Sequence, residues 1–133
     1  EGILGVTVVS ATNLANRDMF GKQDPYVKLQ LVSAVTSAGQ TSHVVGGGTS
    51  LTWGPLHNNT HQLPYSVAPG GTAVLAVEAW DYDQGTADDL IGRGRVSIVL
   101  PVSSPRTVAV ALVDGSRKPA GSVKLRLGSS PAP

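Results

Sequence analysis

The stretch WDYDQGTADDLIG, residues 80 to 92, holds Asp81, Asp83, Asp88 and Asp89 within nine consecutive positions. On an extended strand end, side chains at i and i+2 point the same way, so Asp81 and Asp83 converge on one point. Asp89 returns to them from the far side of a glycine-containing loop. Two further acids, Asp18 and Asp24, lie in NRDMFGKQDPYVKLQL, residues 16 to 31, so six of the nine Asp and Glu fall in two short stretches. Carboxylates held together repel one another and must take up protons, splay apart or bind a cation. A hard cation such as Ca²⁺ takes six to eight oxygens at about 2.3 to 2.6 Å, and loop carboxylates suit it. Turn chemistry accounts for any one of these aspartates, but not for two separate stretches that each pair acids at a short fixed spacing. The DYDQGTADDLIG run lacks the ligand order of an EF-hand loop, and no flanking helices are visible. Asp81 and Asp83 side by side do not flank a cleft as a glycoside-hydrolysing pair must.

These acids need a scaffold, and the rest of the chain supplies the pattern for an all-β one. At 133 residues the chain is long enough for one domain with a real core. Its 41% apolar content and net charge of +1 exclude a disordered or polyanion-binding composition. Cysteine is absent, which removes disulfides and thiolate metal sites. Apolar runs stop at about seven or eight residues, too short to cross a bilayer as a helix. No signal-peptide pattern opens the chain. The start on a strand-like run and the SSPAP ending read as a piece of a longer protein. Strands are expected at 3–11, 25–32, 41–46, 60–65, 73–80, 92–100, 106–113 and 121–127, with Tyr26, Lys28 and Gln30 on one face of the second and Val27, Leu29 and Leu31 on the other. Gly- and Pro-rich turns punctuate them at 46–50, 68–71 and 114–121. No helix is expected beyond a single turn near TADDLIG. Residues 1–128 form the single domain in this reading, and 129–133 a tail.

The segments GVTVVSATNLANRDMFGKQDPYVKLQL and AVEAWDYDQGTADDLIGRGRVSI resemble the first and third calcium-binding loops, with their flanking strands, of C2 domains. These are eight-stranded antiparallel β-sandwiches that bind calcium and phospholipid. Leu14, Asp18, Gly21, Asp24, Pro25, Tyr26 and Val27 match the first motif, and Trp80, Asp81, Asp83, Asp89, Ile91 and Gly92 the second. The first loop follows the first strand, as in the family's type II permutation. The central segment SLTWGP keeps Trp53 but lacks the Asn-Pro that usually precedes it.

The resemblance implies a ligand set. Asp24, Asp81 and Asp83 would bridge two Ca²⁺ ions, Asp89 completing one site and Asp18 the other, with backbone carbonyls of Arg17 and Tyr82 as further ligands. Ala87 stands where some members carry a side-chain oxygen for another ion, so two ions are expected and not a third. Asp88 adds negative field or caps a turn. Neutralised by calcium, the loops would accept oxygens of an anionic phospholipid head group. Met19 and Phe20 would then enter the bilayer from a loop tip, each gaining about 1.5 to 3 kcal/mol if fully buried. The alternative for Phe20, the only Phe, is a core contact. The implied protein is a cytoplasmic, peripheral membrane-targeting module of a larger protein, a monomer that binds anionic membrane on a calcium rise. The alternatives are a protein-interaction module in which calcium is structural or irrelevant, and an extracellular sandwich that binds carbohydrate.

Other features point to no chemistry. Lys28, Arg93, Arg95, Lys124 and Arg126 alternate on strands, as a solvated face does. Aromatics do not interleave with the basic residues, so nucleic acid is not a partner. His57 and His61 are four apart without a third ligand, a surface pair rather than a zinc site. Asn58 and Thr60 form a glycosylation sequon, relevant only outside the cell. Trp53 and Trp80 are expected in or beside the core. With no Cys, no nucleophile elbow and no His–acid pair, the chain is not expected to be an enzyme.

Overall fold

The structure is a computed structural model that describes residues 1–17 and 21–131. Alternation of buried and half-buried residues builds two long strands first: β1 (Gly2–Thr12) and β2 (Pro25–Leu31), whose Val27, Leu29 and Leu31 are buried while Lys28 and Gln30 are half-exposed. β3 (Ala34–Gln40), the short β4 (Leu51–Thr52), β5 (Thr60–Tyr65), β6 (Thr72–Asp81), β7 (Asp89–Val99), β8 (Arg106–Val113) and β9 (Pro119–Pro131) complete the molecule. All the ladders are antiparallel, in the order β3-β2-β6-β7-β8-β9-β1, with β4 and β5 both against β1. Only one residue pair, Arg93 with Val113, joins β7 to β8, so the sheet curls there into two halves that face each other. Ser37 Oγ donates to Pro64 O at 2.7 Å between β3 and β5, the outer strands of the two halves. Leu4, Leu29, Leu75, Ile91, Ile98, Leu125 and Leu127 fill the space between them, none more than 1% exposed. The architecture is the expected antiparallel β-sandwich, in which β1 runs directly into the first acidic loop.

Three expectations need correction. The third strand is 34–40, not 41–46. A tight turn at Val32 and Ser33 returns the chain at once along β2, without the Gly or Asn that marks most two-residue hairpins. Residues 41–44 do follow β2, through Thr41 N to Val27 O at 2.9 Å and Val44 N to Pro25 O at 3.0 Å, but not as a strand. Residues 129–131, expected to begin a tail, pair instead with Leu4, Ile3 and Gly2. A 3-10 turn at Pro55–His57 adds a short helical piece that the strand pattern did not signal.

The register of β1 slips at Val9, and the carbonyls around that bulge find partners in the 53–59 segment. Trp53 N donates to Val9 O at 3.0 Å, and the Asn59 amide donates to Val8 O at 3.0 Å and Trp53 O at 3.2 Å. Asn59 is 8% exposed, so its removal leaves buried carbonyls unsatisfied. Asn59→Ala is expected to lower unfolding stability by about 1–3 kcal/mol in a urea titration.

Candidate metal centre

The β6–β7 ladder places the acids. Ala79 pairs with Gly92 but Trp80 with Leu90, so Ile91 is an extra residue in β7, fully buried. This bulge advances the register by one and sets Asp89, rather than Leu90, opposite Asp81. Asp83 follows β6 by two residues. The result is a group of three carboxylates, Asp81, Asp83 and Asp89, whose oxygens lie within 4.8 Å of one another.

Their environment is strained in the electrostatic sense. Asp81 is 2% exposed, and its Oδ1 accepts from Asp24 N at 2.8 Å. Burial pushes the Asp83 carboxyl above the usual carboxylate range, and a hydrogen bond with Asp89 and the charges of Asp81, Asp89 and Asp88 push it further. Asp83 therefore holds a proton more readily than an ordinary aspartate. The donor set is all oxygen and dianionic or more, which fits a hard divalent cation.

Asp24 adjoins this group. Pro25 pairs with Asp81, Tyr82 N donates to Asp24 O at 3.0 Å, and the Asp24 Oδ1 accepts from Gly46 N at 2.8 Å. Its backbone thus joins the cluster, its carboxylate joins the 41–50 loop, and it is not one of the three converging carboxylates. Arg17 sits on the first acidic loop, where its N–H donates to Gln23 Oε1 at 2.9 Å. The Gln23 side chain, 1% exposed, donates in turn to Ala15 O at 2.9 Å and Gly48 O at 3.2 Å, bracing that loop from inside. Asp18, Met19 and Phe20 lie outside the described residues.

Several residues at this end were not legible as functional. Asp88 is a brace: Oδ1 accepts from Asp83 N at 2.9 Å, and Oδ2 accepts from the Tyr26 hydroxyl. Burial and that hydrogen bond push the Tyr26 hydroxyl well above the ordinary tyrosine value, while the Asp83 N–H and the Tyr26 hydroxyl pull Asp88 down. Both parts of the expectation for Asp88 are present: it caps the turn at Asp83 N and adds negative charge beside Asp83. His43 stacks on Tyr82 at 4.0 Å between ring centroids and 6° between planes. Val45, next to Gly46, is 80% exposed, an apolar tip beside Asp24. Trp80 lies on the sheet face rather than in the core, with Lys28 Nζ 4.5 Å from its ring centre, whereas Trp53 is buried. His61 Nε2 lies 2.9 Å from Asn58 O and belongs to no acid or histidine cluster among the described residues.

An antiparallel β-sandwich with a three-carboxylate cation cradle where two loops meet at one end defines a class of metal-binding β-module. The chain belongs to the C2 domain family, whose profile matches residues 2–111. It is 35% identical over 93 residues to Arabidopsis thaliana Synaptotagmin-5, covering 70% of this chain and 15% of that protein. To the Arabidopsis thaliana 16 kDa phloem protein 1 it is 31% identical over 97 residues, covering 73% of this chain and 59% of that one. The chain therefore spans less than two thirds of either relative. Among solved structures, a C2 domain of plant Extended Synaptotagmin 1 superposes with a TM-score of 0.77 at 23% identity, covering 99% of this chain and 96% of that one. Human GIVD cytosolic phospholipase A2 superposes at 0.71 with 21% identity over 98% of this chain but only 17% of that one. The shared part is the C2 fold and not a catalytic fold.

Proposed function

We propose that the chain is a calcium-dependent module for binding anionic phospholipid membranes, placed peripherally on the cytoplasmic side and acting as the membrane-targeting domain of a larger protein. The observation that carries this reading is the convergence of Asp81, Asp83 and Asp89 to within 4.8 Å, with Asp24 hydrogen-bonded to the first of them. Asp81, Asp83 and Asp89 would hold Ca²⁺ with Asp24 beside them, and Asp18 and the Arg17 and Tyr82 carbonyls would supply the remaining oxygens of a two-ion site. Calcium supplies positive charge and open coordination positions for head-group oxygens. The protein's own residues hold the carboxylates in register, Val45 is exposed beside Asp24, and the membrane contact is assigned to Val45 together with Met19 and Phe20, which lie outside the described residues. Membership of the C2 domain family, whose calcium-binding loops the two acidic segments resemble, supports the lipid part of the reading.

Calcium that binds only the folded chain must stabilise it. At free calcium about 100 times the dissociation constant the gain is about 2.7 kcal/mol, which corresponds to a rise in Tm of about 10 °C for a domain of this size. Thermal unfolding in chelator and in millimolar calcium measures it, and equilibrium dialysis gives the number of ions, expected to be two. An unchanged Tm at millimolar calcium contradicts the proposal.

A further inference from the structure

The β8–β9 hairpin stands at the same end of the sandwich as the carboxylate cluster. Val113 pairs with Pro119 at its mouth, Ala15 N donates to Ala120 O at 3.1 Å, and Arg17 Nη2 lies 3.6 Å from Asp114 Oδ2. The hairpin is thereby fastened to the first acidic loop, which is itself fastened to the cluster through Asp24 N and Asp81 Oδ1. Asp114 closes the turn from inside: its Oδ1 accepts from Ser116 N at 2.8 Å and Lys118 N at 3.0 Å, and its carbonyl accepts from Arg117 N at 3.0 Å.

This closed turn sets Arg117 at φ 63. Left-handed backbone is cheap for glycine and tolerable for asparagine, whereas an arginine Cβ there crowds its own carbonyl. Folding alone favours Gly at this position. Arg117 and Lys118 are nevertheless both basic and both exposed, and neither makes an ion pair among the described residues. An exposed basic residue in a strained backbone conformation points from backbone outlier to function.

We propose that Arg117 and Lys118, at the tip of the β8–β9 hairpin, form an anionic head-group contact beside the calcium site, one whose charge does not depend on calcium. The occupant is the anionic phospholipid surface, because the hairpin shares its end of the molecule with the loops that calcium neutralises and has the complementary charge. The inference rests on the calcium-dependent lipid binding proposed above.

Arg117→Gly makes the test clean, since glycine fits the backbone better than arginine and the fold is not weakened. At saturating calcium, each cation removed near an anionic surface is expected to weaken binding to phosphatidylserine vesicles about fivefold, so the Arg117→Gly/Lys118→Gln pair loses about 25-fold at low salt. Arg117→Lys keeps wild-type binding, Tm does not fall in Arg117→Gly, and calcium affinity without lipid stays unchanged. Wild-type affinity of the double variant for vesicles that the parent chain binds overturns the hairpin contact alone. Unchanged vesicle binding with lost binding to polyglutamate assigns the hairpin to an acidic protein and also overturns it. A parent chain that binds no vesicles at any calcium level overturns the lipid reading and, with it, this inference.

Discussion

Asp81→Asn is expected to abolish calcium-dependent binding to anionic vesicles while leaving the chelated protein at least as stable as before. The side chain is 2% exposed, and its Oδ1 accepts from Asp24 N at 2.8 Å. Asparagine keeps that acceptor, so the junction of the two acidic loops survives. What it loses is the negative charge that lies within 4.8 Å of both Asp83 and Asp89. Calcium affinity follows ligand charge and site rigidity, and loss of a shared carboxylate is expected to raise the calcium needed about 100-fold. Without calcium the sign reverses. Asp83 is held above the ordinary carboxylate range by burial and by its acidic neighbours, so removing one of those charges relieves repulsion in the folded state. Tm in chelator should therefore equal or exceed that of the parent chain. A variant that melts lower in chelator would show that the Asp81 charge itself holds the fold, and normal lipid binding would remove Asp81 from the ion site.

Gly94→Ala is expected to have the largest effect on folding, about 3 kcal/mol or more of lost stability in a urea titration. Gly94 lies where β7 turns toward β8 and the two halves of the sheet join through Arg93 and Val113 alone. A Cβ there would stand 2.2 Å from Ala111 O and 2.9 Å from Val110 Cγ1. The first obstacle is backbone and cannot rotate away, so β7 and β8 must separate where they approach each other. Gly128→Ala is the control, because nothing lies within 4 Å of its added Cβ, and a change within about 0.5 kcal/mol is expected there. Equal effects at the two positions would contradict a steric cause.

The site was the more legible part of this sequence. Asp81, Asp83 and Asp89 stand out because strand periodicity and a short loop place them on one point without any long-range information. What strand periodicity did not disclose is the bulge at Ile91, since a buried apolar residue looks the same in and out of register, yet it is this bulge that sets Asp89 against Asp81. β3 escapes the pattern for a different reason. Its residues AVTSAGQ are small and weakly patterned, its hairpin carries no Gly or Asn, and the β-branched TSHVVG run at 41–46 looks more like a strand than β3 itself does. Asp88 illustrates the limit of reading by residue type: its partners, the Asp83 amide and the Tyr26 hydroxyl, come from separate parts of the chain and meet only in the fold. The strain at Arg117 was invisible for the same reason, since only the closed Asp114 turn gives that residue its backbone angle.

The most direct test of calcium-gated membrane binding is sedimentation of the chain with phosphatidylserine-containing liposomes while free Ca²⁺ is stepped from chelator to millimolar. Binding that appears with calcium, reverses on chelation and is absent with phosphatidylcholine alone is the result predicted. A chain that stays in the supernatant at every calcium level, or pellets equally in chelator, would contradict it.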